Sequence, residues 1–267
     1  MACLGREQRY NPHYSFLEKC YIFLFGMPIV GLRIRGRNIF SLIPKYKIYH
    51  RILDAGAGTG VFTFELSRRF PNASILGIDL EEQTVETCEY ISAKMKYTNI
   101  KFRRQPIEKL KEVNYFDLIL CADILEHIKN DSASLKTLHR VAAPEGILVL
   151  HVPALYRLYP IFKKSLNFDV PSHCRVGYNI EEIRDKVLNA GFSIQKIGFT
   201  YGFWETLANN VSYMITHARM QHRLIYSCVF PVLNVISLLG IKARPKKFGA
   251  GIFVIAEKGG PVEPIEQ

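Results

Sequence analysis

The chain has 267 residues, of which 48% are hydrophobic. This length and composition suit one α/β domain with a substantial core and insertions, and they exclude a largely disordered chain. The formal net charge is +11, and nearly all of the excess lies in residues 1–50 and 196–267. Basic flanks suit contact with phosphates, whether of a membrane surface or of a nucleic acid.

Residues 1–49 are predicted to form an apolar and basic N-terminal cap with helical structure. Its apolar stretch, Tyr21–Leu32, is interrupted by Gly26 and Pro28 and is followed by Arg33, Arg35 and Arg37. The stretch is short and lacks a small-residue cleavage site, so it does not predict a signal peptide. The six cysteines have no spacing typical of a zinc site or disulfide framework, which favours a reducing, cytoplasmic setting.

Residues 50–200, together with 248–258, predict a single α/β domain. Short β-rich runs are expected as strands at 51–54, 74–78, 100–104, 116–121, 146–151, 192–200 and 251–257. Helical patterns between them are expected at 60–70, 81–96, 132–141 and 180–190. Strands that alternate with helices in this way predict a doubly wound, seven-stranded, mostly parallel sheet.

A glycine-rich loop follows the first predicted strand and precedes a helix. It reads Asp54-Ala-Gly56-Ala-Gly58-Thr-Gly60, and glycines allow tight turns and close approach of a ligand. Dinucleotide-binding loops have the spacing G-x-G-x-x-G, whereas the spacing here is G-x-G-x-G after an acid. Because an aspartate would repel a pyrophosphate, the loop favours a cationic ligand without phosphate. The alternative is an ordinary glycine-rich turn.

Asp79 ends the second predicted strand. An acid at this position accepts hydrogen bonds from ribose hydroxyls in other nucleoside-binding sheets. It could also act as the N-cap of the next helix, and the two roles are compatible.

With these motifs, residues 51–153 resemble a class I S-adenosylmethionine-dependent methyltransferase of the broad small-molecule type, with a Rossmann-like fold. The segments Asp117–Ile128 and Val141–Val149 strengthen the resemblance. The family often has an acid near Gln105 to meet the adenine amino group, so the glutamine is a departure. The resemblance implies an S-adenosylmethionine site formed by Asp54, Gly56, Ala57, Gly58, Gly60, Asp79, Leu80, Gln105, Pro106, Ile107, Cys121 and Ala122.

Asp123, Glu126 and His127 follow the fourth predicted strand, at the edge where open α/β sheets bind ligands. Their D-x-x-E-H spacing is similar to the E-x-x-E-H of ubiquinone-biosynthesis O-methyltransferases and of small-RNA 2′-O-methyltransferases. That similarity implies a divalent metal such as Mg²⁺, held by these three residues and His173. On one helical turn the three side chains would share a face. Without metal, His127 or His173 could act as the general base, with Glu126 near the cofactor; His151 is expected to be structural.

Residues 201–247 are predicted to form a helical insertion before the last strand. Tyr201–Arg219 has the pattern of one helix, and Leu224–Ile241 is uncharged but broken by Pro231. The second segment is marginal for a spanning helix. Flanking cations favour an interfacial lid or anchor at the mouth of the site: Arg219, Arg223, Lys242, Arg244, Lys246 and Lys247. The alternative is that both segments pack as core or across a dimer.

These features predict methyl transfer from S-adenosylmethionine to an oxygen of a hydrophobic or lipid-linked small molecule. The protein would work in the cytoplasm, at a membrane surface. One alternative is an RNA 2′-O-methyltransferase, although cations interleaved with apolar runs suit a bilayer better than a phosphate groove, so a nucleic-acid partner is not favoured. Another is a non-catalytic scaffold that binds S-adenosylmethionine. The acceptor and the oligomeric state stay open.

Overall fold

The computed structural model describes residues 4–159, 163–167, 173–216, 223–242 and 248–259. Its helices are α1 (Phe16–Phe25), α2 (Val30–Leu42), α3 (Val61–Arg69), α4 (Glu82–Lys94), α5 (Asp131–Val141), α6 (Ile180–Asn189), α7 (Phe203–Thr216) and α8 (Arg223–Leu238). Its strands are β1 (Arg51–Ala55), β2 (Ser74–Asp79), β3 (Ile100–Arg104), β4 (Phe116–Ala122), β5 (Ala142–Pro153), β6 (Tyr156–Leu158), β7 (Lys164–Leu166), β8 (Phe192–Thr200) and β9 (Gly251–Lys258). Short 3₁₀ turns cover Arg6–Tyr10, Ile107–Lys109, Leu125–His127 and Leu239–Lys242.

The main sheet has seven strands in the order β3-β2-β1-β4-β5-β9-β8. The first five are parallel, and β9 runs antiparallel to both β5 and β8. This confirms the predicted doubly wound, mostly parallel sheet. Because β8 runs in the same direction as β5, it ends at the carboxyl edge of the sheet, where the insertion begins. β6 and β7 form a separate antiparallel ribbon that the sequence did not predict.

Both faces of the sheet are covered, as the apolar run in β4 requires. Successive side chains of a strand point to opposite faces. Ile119 accordingly packs with α5 and α6, whereas Leu118 and Leu120 pack with α2 and α3. All three side chains are fully buried. A parallel strand between two helical layers has this composition because neither face meets water.

The turn from α5 into β5 differs slightly from the prediction. The Asn130 side chain accepts from the Ala133 N–H and caps α5 at 3.2 Å. The helix ends at Val141 as predicted, but β5 begins at Ala142 rather than at Gly146. Ala142 pairs with Phe116 ahead of an irregularity in the β4–β5 register. The extra strand residues therefore lie at a shift in the β4–β5 register, which alternation alone does not reveal.

The apolar N-terminal stretch is divided between two helices. Gly26 (φ 69°) ends α1, and α2 begins at Val30. Arg33, which is almost completely buried, turns back and donates to the carbonyls of Met27 and Phe25. Arg33 therefore stabilises the turn between α1 and α2 and is not a surface cation.

The insertion consists of α7 and α8, which pack on each other and on α2. The inner faces of α7 and α8 form one apolar cluster with α2, which includes Ile34 of α2 and Phe230 and Leu233 of α8. Pro231 lies inside α8. The end of the helix predicted at 201–219 falls on residues 217–219, which lie outside the described residues, as do Arg244, Lys246 and Lys247. Among the described residues no helix has the length and hydropathy needed to cross a membrane.

Candidate active site

The glycine loop turns between β1 and α3 with left-handed backbone at three positions. Gly56, Gly58 and Gly60 have φ values of 87°, 50° and 74°, a region that favours glycine. A Cβ on Gly56 would lie 2.1 Å from the Ile124 side chain, whereas one on Gly58 would meet nothing within 4 Å. The N–H groups of Gly56 and Ala57 both donate to the Ile78 carbonyl. The loop is thus fixed to β2 on one side and to the turn after β4 on the other.

Asp79, at the end of β2, holds the glycine loop. One carboxylate oxygen accepts from the Gly58 N–H at 2.8 Å and the other from the Glu81 N–H at 3.1 Å. The N-cap residue of α4 is Glu81 and not Asp79, so Asp79 supports the helix start from outside. Leu80 is exposed beside it.

Asp54 is buried at the end of β1, with 1% of its surface exposed. The Thr63 hydroxyl donates to its carboxylate at 2.6 Å. Burial raises the pKa of Asp54 to about 7 against the opposing effect of the Thr63 hydrogen bond, and Asp79 adds to the rise. A buried acid of this kind is stabilised in its charged form by a cationic ligand.

The remaining predicted cofactor residues lie along the same carboxyl edge of the sheet. The Gln105 N–H donates to the Asp79 carbonyl at 2.9 Å, and its side-chain oxygen accepts from Arg103 at 3.3 Å. Pro106 precedes a 3₁₀ turn that begins at Ile107, whose side chain is buried. Leu80, Gln105 and Pro106 also line an open surface depression. On β4, Cys121 is buried and Ala122 half-buried.

The N-terminal 3₁₀ turn Arg6–Tyr10 covers the glycine loop, which sequence reasoning did not anticipate. The Gln8 side chain, nearly fully buried, donates to the Thr59 carbonyl at 2.5 Å. Gly5 packs closely against Met27 and Val61. The Gln8–Thr59 contact joins residues about fifty positions apart, so no local pattern in the sequence marks it.

The turn after β4 departs from the expected helical face. Asp123 has a positive φ of 54°, and only Leu125–His127 form a 3₁₀ turn. Asp123 therefore does not share one helical turn with Glu126 and His127, and its carboxylate binds Arg35 at 2.8 Å and His151 at 2.6 Å. Burial alone would raise the pKa of Asp123, but Arg35 and His151 together lower it to about 2.

His151 continues this network to the last strands of the sheet. It is buried, and its second ring nitrogen lies 2.9 Å from the Thr200 hydroxyl. Arg35, Asp123, His151 and Thr200 thus link α2, the turn after β4, β5 and β8. Arg35 and Thr200 were not among the predicted site residues, because their partners are distant in sequence.

Glu126, His127 and His173 come together, as predicted. Their ligand atoms all lie within 4.8 Å of one another, and the two imidazole rings meet edge to face with centroids 4.5 Å apart. The Cys174 N–H donates to the Glu126 carbonyl at 2.7 Å and fixes the loop that carries His173. Asp123, the fourth predicted ligand, is not part of this group among the described residues.

Glu126 differs from the two histidines in its surroundings. The side chain is almost completely buried, and its Oε2 has no hydrogen-bond partner among the described residues. Burial and the neighbouring Asp123 charge raise its pKa well above the usual range. A carboxyl group in this state binds a proton or a cation strongly.

A cavity of about 390 Å³ opens beside these side chains. Its lining includes Asp123, Glu126, His127 and His173. It also includes Arg157 of β6 and polar residues of α7, among them Asn209 and Tyr213. The cavity has room for a small molecule next to the carboxyl edge of the sheet.

Comparison with known proteins decides the family. The methyltransferase-domain model matches residues 49–191, which is more than half of the chain. The chain belongs to the methyltransferase-domain family. This confirms the resemblance to S-adenosylmethionine-dependent methyltransferases, and with it the class of enzyme domain and the cofactor.

Two curated methyltransferases show the extent of the similarity. The ubiquinone biosynthesis O-methyltransferase of Acinetobacter baylyi is 26% identical over 98 residues, which cover 36% of this chain and 40% of the relative. The malonyl-[acyl-carrier protein] O-methyltransferase of Bacillus cytotoxicus is 29% identical over 136 residues, covering 49% of this chain and 46% of the relative. The chain therefore spans less than half the length of these relatives.

Solved structures of methyltransferases share the fold. Phosphoethanolamine N-methyltransferase 2 of Haemonchus contortus, in complex with S-adenosyl-L-methionine, superposes with a TM-score of 0.61 at 16% identity. The match covers 95% of this chain and 60% of that one. At this identity the likeness concerns the fold alone.

Proposed function

We propose that the chain transfers the methyl group of S-adenosylmethionine to an oxygen of an amphipathic small molecule, hydrophobic or lipid-linked. The observation that carries the proposal is the convergence of Glu126, His127 and His173 in one cavity at the carboxyl edge of the sheet. The cavity lies beside the turn after β4, and Ile124 of that turn lies against Gly56 of the cofactor loop. The cavity is the natural place for an acceptor.

The proposed chemistry divides between the bound donor and these side chains. S-adenosylmethionine supplies an electrophilic methyl group on a sulfonium. The cavity walls orient the acceptor oxygen toward that methyl group, since alignment provides much of the acceleration in an in-line displacement. Glu126, with its raised pKa, accepts the proton that the acceptor hydroxyl loses, and His127 and His173 are the alternative bases.

The same three residues fit a divalent metal. The unsatisfied Glu126 Oε2 is a buried oxygen in need of a cation or a proton, and the donor set is one carboxylate and two imidazoles. Imidazole-rich sets suit transition metals, whereas Mg²⁺ prefers oxygen ligands. A bound metal would lower the pKa of the acceptor hydroxyl. Asp123 would support the site from outside, because Arg35 and His151 occupy its carboxylate.

Two observations support an amphipathic acceptor that comes from a membrane surface. The outward side of α8 is apolar, with Leu224, Ile225 and Val232 each more than half exposed. The neighbouring helix α1 exposes Phe16 and Leu17. The Tyr21 hydroxyl of α1 donates to the Ser227 carbonyl of α8 at 2.6 Å, which joins the two helices. Exposed apolar helix faces of this extent suit a lipid interface.

The two relatives support oxygen as the methylated atom, since both are O-methyltransferases. Their acceptors differ from each other, so they leave the acceptor of this chain open. The cation-rich flanks favour an anionic membrane over an RNA groove for the reasons given above.

The test is methyl transfer from labelled S-adenosylmethionine to a lipid extract and, separately, to an aqueous extract containing RNA, each with and without chelator. We expect label in the lipid fraction, and its loss in Glu126→Gln. Glu86→Gln, at an exposed position on α4, is the matched control. Label confined to RNA or to water-soluble products would refute the lipid acceptor, and cofactor binding without any transfer would indicate a scaffold. Insensitivity to chelator would exclude the metal.

A further inference from the structure

The cavity that Glu126 lines also contains a buried cation that the proposed chemistry does not use. Arg157 lies in the middle of β6 and exposes only 2% of its surface, yet it lines the same cavity as Glu126. A guanidinium keeps its charge at all ordinary pH values, and burying a charge is costly. A buried arginine facing a cavity therefore calls for a functional explanation.

The guanidinium is held in a fixed orientation. One terminal nitrogen donates to the Asn210 side chain at 2.8 Å, and the group lies over the Tyr213 ring at 4.9 Å. Asn210 is itself fixed, because its amide donates to the Leu158 carbonyl at 2.7 Å. Asn167, on the other side, lies 3.4 Å from the second terminal nitrogen and is anchored to the Ala154 carbonyl. The arginine is thus built into a polar frame contributed by β6, the end of β7 and α7.

We infer that Arg157 binds an oxyanion, a carboxylate or a phosphate, carried by the methyl acceptor. The planar fork of a guanidinium matches either anion with two parallel hydrogen bonds. Burial lowers the pKa of Arg157, which means that its charge is penalised, and an anion in the cavity would offset that penalty.

The inference rests on the proposed function and deepens it, because it names the acceptor as an anionic amphiphile. The anion would dock against β6 and α7, and the methylated oxygen would face Glu126, His127 and His173 in the same cavity. Two separate anchoring points would fix the orientation of the acceptor. Arg157 would then set which acceptors are accepted, without touching the reacting atoms.

The test measures binding without methyl transfer. The full chain, saturated with S-adenosylhomocysteine, is titrated calorimetrically with phenyl phosphate, with benzoate and with the neutral benzyl alcohol. We expect one of the anions to bind roughly tenfold or more tightly than the alcohol, and Arg157→Gln to remove that preference. Arg157→Lys should be intermediate, since it keeps the charge but not the fork. The better ligand of the two anions identifies phosphate or carboxylate.

Two further variants guard against misfolding and surface effects. Asn210→Asp places a carboxylate against the retained guanidinium and should abolish the anion preference by competition. Arg104→Gln changes an exposed arginine that pairs with Glu82 and should bind like the wild type. S-adenosylhomocysteine affinity of each variant reports whether the domain is intact.

The inference is wrong if the wild-type chain binds neither anion, if benzyl alcohol binds equally well, or if Arg157→Gln and Asn210→Asp leave the preference intact. The methyl-transfer assay tests the proposed function independently of this binding measurement. A chain that binds an oxyanion through Arg157 but transfers no methyl group would refute the proposed function alone.

Discussion

Gly56 is the residue of the cofactor loop that lies against the turn after β4. Its backbone is left-handed, and the Ile124 side chain occupies the space where a Cβ would stand. The left-handed conformation disfavours a side chain by backbone strain, and Ile124 excludes one by overlap. Gly58 has the left-handed conformation but no neighbour in the place of a Cβ. A comparison of substitutions at Gly56 and Gly58 therefore separates strain from overlap.

We expect Gly58→Ala to lower the free energy of unfolding by about 1–2 kcal/mol, the usual strain of a left-handed alanine. Gly56→Ala should lower it by roughly 1–3 kcal/mol more, because the added methyl group overlaps Ile124. Urea unfolding measures both. S-adenosylmethionine affinity should fall further in Gly56→Ala than in Gly58→Ala. Equal losses in the two variants would show that Ile124 does not constrain the loop.

Asp54 predicts a pH dependence of cofactor binding. Because its pKa is raised to about 7, the fold without cofactor favours the protonated acid. The contribution of that acid to the free energy of unfolding is fully present below the usual aspartate pKa and is lost as the pH rises through 7. A cationic cofactor favours the carboxylate. S-adenosylmethionine affinity should therefore rise with pH up to about 7, and binding below that pH should release a proton.

Calorimetry in two buffers of different ionisation enthalpy measures that proton release directly. Asp54→Asn should bind the cofactor weakly and without pH dependence between about pH 6 and 8. Asp185→Asn, on the exposed side of α6, should behave like the wild type. If the wild type takes up or releases no proton near pH 6, the cofactor does not meet Asp54 in its charged form.

At the scale of elements, α2 is tied to the sheet by the Arg35–Asp123 ion pair. Both side chains are less than a third exposed, and breaking a buried pair is more costly than breaking a surface pair. A double-mutant cycle of Arg35→Met and Asp123→Asn should give a coupling free energy of about 1–3 kcal/mol in urea unfolding. Since the pKa of Asp123 is lowered to about 2, its contribution is present above the usual aspartate pKa and is lost as the pH falls toward 2.

The exposed pair Arg104–Glu82 is the control for that cycle. Its coupling free energy should be below about 1 kcal/mol. If the two cycles give the same value, the Arg35–Asp123 pair acts as a surface ion pair, and α2 is held to the sheet by its apolar contacts alone.

The elements themselves could be predicted because their signals are local. The run in β4 alternates between two covered faces, and the loop after β1 needs left-handed backbone at its glycines; both are properties of a few adjacent residues. Asp123 shows where this reasoning stops. The spacing had predicted that Asp123 shares a helical face with Glu126 and His127. Instead its backbone has a positive φ, and its carboxylate binds Arg35, 88 positions earlier in the sequence.

The sequence could not predict the positions of Arg157 and Gln8, for a related reason. Each is polar, lies in an unremarkable local sequence and acquires its role only when distant segments pack around it. Glu126, His127 and His173 were found because the D-x-x-E-H spacing resembles a known motif, and the loop of His173 then folds back onto it through Cys174. Motifs therefore pointed to the cluster of Glu126, His127 and His173, and only the tertiary structure placed Arg157 in the lining of the same cavity.

At the scale of the whole molecule, the apolar faces of α1 and α8 lie on the insertion side of the fold, and cations border them. Arg9 and Lys19 line a groove with Phe23 and Leu24 of α1. Cations beside exposed apolar side chains favour an anionic bilayer. We expect the chain to float with vesicles of phosphatidylcholine and phosphatidylserine, less well with phosphatidylcholine alone, and less well at high salt.

The variant Leu224→Ser with Ile225→Ser and Val232→Ser should float several-fold less well, because it removes apolar area from the outward face of α8. Ile48→Ser with Val113→Ser is the matched control: both residues are exposed but precede β1 and β4, at the opposite edge of the sheet. The same variants run on a sizing column distinguish a bilayer from a second copy of the chain. If the wild type is a dimer that the α8 substitutions dissociate, and no vesicle binding is seen, the apolar face is an interface between subunits and the acceptor reaches the cavity from solution.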